Sequence, residues 1–274
     1  MPVETAAGLP ALAPADFRQL RDLFEASTGV HLKDVKLPLV EGRLARHLRS
    51  QGSADWRGYL ERVTADAAER QVFIDLLTTN ETHFFREPAH FDFLRDSILP
   101  TLAAEPRPRL WCAASSTGEE PYSLAMVLAD ALGVGGFELL ASDISTRVLD
   151  TARAGLYPLD AAATIPAQLR RHHCLKGVGP QAGRFAIAPA LRRSVRFAQI
   201  NLSAPLPDLG MFDVIFLRNV MIYFPPETKR QVVARVLGQL RPGGWLLTSH
   251  SESLHGVNDR LRALRPSIYR RLPD

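Results

Sequence analysis

The chain has 274 residues, enough for one large domain or two small ones. Apolar residues make up 46% and charged residues 23%, an ordinary globular balance that argues against a disordered or fibrous chain. No apolar run approaches the roughly 20 residues needed to span a bilayer, Met1-Pro2-Val3-Glu4 lacks the features of a secretory signal, and Cys112 and Cys174 are too few for a disulfide framework; the chain reads as soluble and cytoplasmic.

The formal charge is +4 and the pI about 9.3, values that invite a nucleic-acid reading. The excess is local. Residues 1–80 carry ten basic and eleven acidic side chains, whereas residues 165–200 carry Arg170, Arg171, Lys176, Arg184, Arg192, Arg193 and Arg196 with no acid. Such a distribution favours defined docking surfaces over a diffuse field that binds any polyanion.

The first 79 residues read as a helical domain. Phe17, Leu20, Leu23 and Phe24 share one helical stripe, with Asp16 placed as an N-cap. Leu37, Val40, Leu44 and Leu48 repeat the spacing, and Lys36, Arg43 and Arg46 fall on another face of the same predicted helix. Trp56, Tyr59, Leu60 and Val63 mark a third helix, and Val72, Phe73, Leu76 and Leu77 a fourth.

Residues 80–274 read as a second domain, in which strands alternate with helices from Pro106 onward. Strands are expected at 109–113, 137–142, 195–200, 212–217 and 245–250, with helices at 119–132, 144–154 and 227–240. This order is that of an open, doubly wound parallel α/β sheet. The 38 residues from 156 to 193 are too long for a plain connection and are expected to form a small inserted antiparallel β subdomain.

The loop Ala114-Ser115-Ser116-Thr117-Gly118 follows the first strand and opens a helix, a place where backbone N–H groups face a ligand. It has one glycine, not the Gly-rich pattern that cradles phosphates. Glu119 and Glu120 at the helix start would repel a phosphate. Asp143 ends the second strand 25 residues after Gly118, close to the ~20-residue offset at which an acid binds ribose hydroxyls. A nucleoside with a cationic group, S-adenosylmethionine, suits these residues better than NAD or ATP. His83, His172, His173 and His250 show no metal-ligand spacing, so no metal is expected.

Thr78-Thr79-Asn80-Glu81-Thr82-His83-Phe84-Phe85-Arg86-Glu87 resembles the T-T-N-x-T-x-F-F-R-E signature of the chemotaxis receptor methyltransferase (CheR) family. Segments 111–123, 141–144, 217–224 and 250–254 match that family in order, so the resemblance covers about residues 15–270. It implies a class I methyltransferase fold, with S-adenosylmethionine as methyl donor and S-adenosylhomocysteine as product. It further implies methylation of glutamate side chains on the cytoplasmic helices of chemoreceptors, for adaptation.

By matched position, Asn80, Thr82 and Arg86 line the cofactor site, and one of Glu119 and Glu120 contacts the methionine part. Asp143 holds the ribose, Asn201 and Leu202 flank the adenine, and Arg218 and Asn219 close the cofactor edge. Arg86 and Tyr223 position the substrate carboxylate. The Lys36/Arg43/Arg46 face is expected to dock along acidic receptor helices, and the insert to bind a receptor C-terminal peptide by strand addition. Neither nucleic-acid binding, membrane insertion nor oligomerisation is expected.

Alternatives are a nucleic-acid methyltransferase, suggested by the pI, and a cofactor-bound docking module without turnover. Against the first, Arg218-Asn219-Val220-Met221 replaces the [DN]-P-P-[YF] motif of base amino-methylation. Arg218 on an apolar strand needs a partner, either a structural acid such as Asp213 or a ligand.

Overall fold

A computed structural model of the chain describes residues 9–53, 55–102 and 107–273. It divides into two compact units, Met1–Thr79 with Tyr223–Pro225, and Asn80–Ile222 with Pro226–Asp274.

The first unit is helical: α1 (Pro14–Thr28), α2 (Leu37–Ser50), α3 (Trp56–Ala65) and α4 (Ala67–Leu77). Phe17, Leu20 and Phe24 of α1 are buried with Val40, Leu44 and Leu48 of α2, as the spacing of apolar residues dictates. Phe24 meets Phe73 of α4 edge-on at 5.9 Å. Asp16 does not cap α1. Pro14 takes the first helical position, where its missing N–H costs nothing, so the helix starts earlier and Asp16 lies in its first turn. Asp55 and Asp66 are the side-chain caps, accepting from backbone N–H groups of α3 and α4.

The second unit begins with α5 (Ala89–Phe93), which runs on as a π-helical turn, Leu94–Ile98. Then follow β1 (Arg109–Cys112), α6 (Glu119–Leu132), β2 (Glu138–Asp143), α7 (Thr146–Ala154) and β3 (Leu156–Pro158). Next come α8 (Ala167–His173), β4 (Cys174–Lys176), β5 (Arg184–Ile187), α9 (Pro189–Arg193) and β6 (Val195–Gln199). The chain continues through β7 (Phe212–Phe216), α10 (Pro226–Gly238), β8 (Leu240–Leu247), β9 (Leu261–Arg265) and β10 (Ile268–Arg271).

A seven-stranded sheet has the order β6-β2-β1-β7-β8-β10-β9. The strands from β6 to β8 are parallel, which gives the doubly wound core. The sheet is mixed rather than wholly parallel, because β10 pairs antiparallel with both β8 and β9. β8 also starts earlier than the sequence suggests, at Leu240. Its Pro-Gly-Gly segment sits in an irregularity, Phe212 facing Leu240 but Val214 facing Trp245. Every residue of β7 is buried, as a strand covered on both faces requires.

The insert forms a separate three-stranded antiparallel sheet, β3-β5-β4. Phe185 of β5 and Tyr157 of β3 anchor it against Phe84, whose ring lies 4.9 Å from that of Tyr157. Among the described residues no helix is long and apolar enough to cross a membrane.

Candidate functional site

The chain leaves β1 towards β2 on one side and later places β7 on the other, so the strand order reverses beside β1. Ligands of open α/β sheets bind in the crevice at the carboxyl ends of strands flanking such a reversal. Cys112, Asp143, Phe216 and the residues that follow them therefore define the candidate site.

The loop after β1 is built tightly. Ser115 N–H donates to the Ser142 carbonyl at 2.8 Å and Ser116 N–H to Asp143 Oδ2 at 2.9 Å, tying the ends of β1 and β2 together. Ser116 Oγ donates to the Asn80 carbonyl at 2.9 Å, which fixes the start of the Asn80–Glu87 segment over the loop. Gly118 has φ of +101° and caps α6; a Cβ there would stand 2.6 Å from the Tyr157 hydroxyl and 2.8 Å from Ala152 Cβ. Asp143 also accepts from Ser145 N–H, and the Ile200 N–H donates to the Asp143 carbonyl, bringing Asn201 and Leu202 to the same strand ends. Asn201 folds its own loop by accepting from Ser203 N–H and Oγ, and Leu202 is buried.

The two glutamates at the start of α6 have different surroundings. Glu119 is half-buried and accepts from Thr117 Oγ1 at 2.7 Å; burial raises its pKa against that hydrogen bond. Glu120 is buried, its Oε2 2.7 Å from Arg218 Nη1 and its Oε1 accepting from Cys112 Sγ at 3.3 Å. Burial raises its pKa too, and the Arg218 charge offsets only part of that effect. Cys112 lies in the hydrophobic core, where burial and Glu120 push its thiol well above the ordinary range.

Arg218 does not pair with Asp213. That acid lies at the opposite end of β7, where it accepts from Arg109 N–H and Arg241. The guanidinium of Arg218 instead joins three segments, pairing with Glu120, standing 3.4 Å from Glu87 Oε2 and donating to the Arg86 carbonyl at 2.6 Å. Phe85 and Glu87 both have positive φ, 54° and 58°, so the backbone around Arg86 is held in a conformation that needs outside support. The Arg86 side chain is half-exposed and donates to the Glu81 carbonyl, while the Thr82 and Asn80 side chains are half-buried.

Glu252 organises the other wall, and sequence reasoning gave it no role. Its carboxylate accepts from the N–H groups of Asn219, Met221 and Ile222 and from the N–H and Oγ of Ser249. Asn219, at φ 56°, makes the sharp exit from β7 that this arrangement requires. Glu252 falls in the matched segment 250–254, but apart from Ser249 its carboxylate's partners lie about 30 residues away, so the sequence carried a motif without a role.

The remaining predicted residues lie in the helical unit. Lys36 is exposed in a 3-10 turn, Asp34–Lys36, before α2, and Arg46 is exposed on α2 itself. Arg43 is not part of a free basic face: it donates to the carbonyls of Leu76, Leu77 and Thr78, closing the C-terminus of α4. Tyr223 is half-buried, and its carbonyl accepts from His31 N–H at 3.1 Å.

Residues 80–269 match the family described as "CheR methyltransferase, SAM binding domain", and residues 15–78 match "CheR methyltransferase, all-alpha domain". The chain belongs to the CheR methyltransferase family. Chemotaxis protein methyltransferase 2 of Pseudomonas aeruginosa is 40% identical over 257 residues, 93% of this chain and 92% of that one. The chemotaxis protein methyltransferase of Escherichia coli is 39% identical over 264 residues, 94% of this chain and 91% of that one. That of Salmonella typhimurium is 42% identical over 257 residues, 90% of this chain and 86% of that one.

The crevice fits the methyl donor of CheR enzymes. Ser115 Oγ is buried between β1 and α6 without a hydrogen-bond partner among the described residues, as a ligand-facing hydroxyl would be. Glu119 and Glu120 in the first turn of α6 and Asp143 at the end of β2 place carboxylates there, which suits a nucleoside with a cationic tail. This CheR chain is a methyltransferase that uses S-adenosylmethionine.

Proposed function

We propose that this CheR protein esterifies glutamate side chains of chemoreceptors, consuming S-adenosylmethionine to set receptor sensitivity. The observation that carries the reading is the crevice at the ends of β1, β2 and β7, with Glu120, Asp143 and Arg218 around it. The names of the relatives, chemotaxis protein methyltransferases, supply the substrate class.

Bound S-adenosylmethionine supplies an electrophilic methyl group on a cationic sulfonium. Asn80, Thr82, Arg86, Asp143, Asn201, Leu202, Arg218 and Asn219 are the residues proposed to hold it. Of the two glutamates, Glu120 is the better partner for the methionine end. It is pinned between Cys112 and Arg218 at the strand reversal, whereas Glu119 turns towards Thr117.

The substrate carboxylate, with a pKa about 4.3, is ionised at neutral pH, so no general base is required. Alignment remains the main task, because attack needs the reacting atoms roughly 3–3.5 Å apart and in line. The Arg86 guanidinium is assigned to orient the carboxylate, a task that the family motif also implies for Tyr223. The grip of Arg86 must be loose, because negative charge disappears as the ester forms and a tight ion pair would stabilise only the ground state.

Docking is assigned to Lys36 and Arg46, with Arg43 in a supporting place, and to the insert. All seven basic residues between 165 and 200 are exposed, and β4 lies at an edge of its sheet with Leu175 and Lys176 outward. An acidic receptor peptide can add to that edge. Radiolabelled methyl transfer tests the whole reading. Alkali-labile label on receptor fragments is expected; stable label on RNA, or none at all, would overturn it. With Arg86→Ala, kcat should fall by about 10²-fold; near-normal turnover with unchanged cofactor affinity would remove Arg86 from its role.

A further inference from the structure

Glu87, His90 and His250 come together although 163 residues separate Glu87 from His250. Glu87 Oε2 stands 3.4 Å from His90 Nδ1 and 3.7 Å from His250 Nε2. His90 is 1% exposed, and its Nδ1 makes no hydrogen bond. The methyl-transfer reading uses none of these imidazoles.

Ser267 supports one self-consistent set of proton positions. Its hydroxyl donates to the Pro266 carbonyl at 2.6 Å, which uses its single hydrogen. The same oxygen lies 2.7 Å from His90 Nε2 and 3.2 Å from His250 Nδ1, so with its hydrogen on Pro266 it can accept from both rings. In that arrangement each imidazole has a ring nitrogen on the Glu87 side able to act as a ligand atom. Three atoms able to ligate a cation therefore converge, one of them anionic; the Glu87 oxygen also accepts from the His250 backbone N–H at 3.3 Å. Ser267 holds this position with φ of 62° and Glu87 with 58°, backbone states that non-glycine residues rarely adopt.

We propose that Glu87, His90 and His250 form a binding site for a divalent cation of the zinc class, with Ser267 orienting both imidazoles. A tetrahedral site with bonds of 2.0–2.2 Å separates its ligand atoms by roughly 3.3 Å, close to the spacings here. Two imidazoles and one carboxylate suit Zn²⁺ and its late-transition neighbours, not Mg²⁺ or Ca²⁺. Ser267 supplies the outer-shell hydrogen bonds that metal-binding histidines characteristically make. Arg218 stands 3.4 Å from the same Glu87 oxygen and pairs more closely with Glu120 at 2.7 Å, so a bound cation would take over its contact with Glu87. Bound there, the metal would clasp the Phe85–Glu87 turn to the loop after β8.

Chelator-stripped protein titrated with Co²⁺ tests the site, since low-coordinate Co²⁺ gives intense visible ligand-field absorption. One equivalent is expected to produce the band, Zn²⁺ to displace it, and His250→Ala to weaken binding at least about tenfold. His250 is exposed, so that variant avoids damage to the core. Zn²⁺ should also raise the melting temperature of the wild type but not of His250→Ala. A second trio, Asp130, His172 and His173, makes the paired His172→Ala/His173→Ala variant the control, and that variant should keep the band. An absent band, a band unchanged by His250→Ala, or one lost in the control would overturn the proposal.

Discussion

Side chains in the crevice wall divide their work between holding the backbone and meeting a ligand, and substitutions should separate the two. Glu252→Gln replaces an acceptor of several buried N–H groups with a side chain that is half donor, so a loss of about 3 kcal/mol is expected, read as a lower denaturant midpoint. Gly118→Ala meets Tyr157 and Ala152 at 2.6 and 2.8 Å in a left-handed conformation, and should cost about 1–3 kcal/mol and lower cofactor affinity. Burial pushes the Cys174 thiol up to about 11. Its alkylation in the native protein should therefore keep rising about tenfold per pH unit past the usual thiol range near 8.5, instead of levelling there. Cys112, fully enclosed beside Glu120, should label only after unfolding.

Among elements, those with strong periodicity were legible and those made by pairing were not. The five parallel strands and the helices between them followed from apolar runs bounded by turns, as β7 illustrates with Phe212 to Phe216 all buried. The β9–β10 hairpin escaped because Leu261–Arg265 is short, basic and mostly exposed, so it lacks the apolar signal of a covered strand. The site shows the same limit. Asp143 and the loop after β1 could be read from local order, but the Arg218–Glu120 pair spans 98 residues and the Glu252 contacts about 30. Arg43 looked like a surface charge because nothing in α2 reveals that the end of α4 lies within its reach. Shortening the β4 edge by a deletion of the insert should weaken binding of acidic receptor tail peptides in a fluorescence titration; equal affinity would remove the insert from docking.

For the whole molecule, the net charge of +4 is best understood through its distribution. The near-balanced helical unit and the exposed basic residues at 165–200 distribute charge unevenly, as the proposed docking of acidic protein surfaces requires. Raising ionic strength through the range where the Debye length falls from about 10 Å to 3 Å should raise KM for receptor several-fold. KM for S-adenosylmethionine should change little, because the groups proposed to bind it lie in a crevice and not on an exposed charged face.

The strand order also has a consequence in time. Leu110 pairs with Leu139 nearby in the chain but with Val214 some 104 residues later, and β8 gains its outer neighbour only when β10 arrives. As synthesis proceeds, the helical unit can close early from local contacts, whereas β1 waits with one flank bare until β7 emerges. During that interval the apolar run Leu110-Trp111-Cys112 is an open edge able to pair with the wrong strand. This chain should therefore lean on chaperones for its second unit far more than for its first, and recover from denaturant in two kinetically distinct phases.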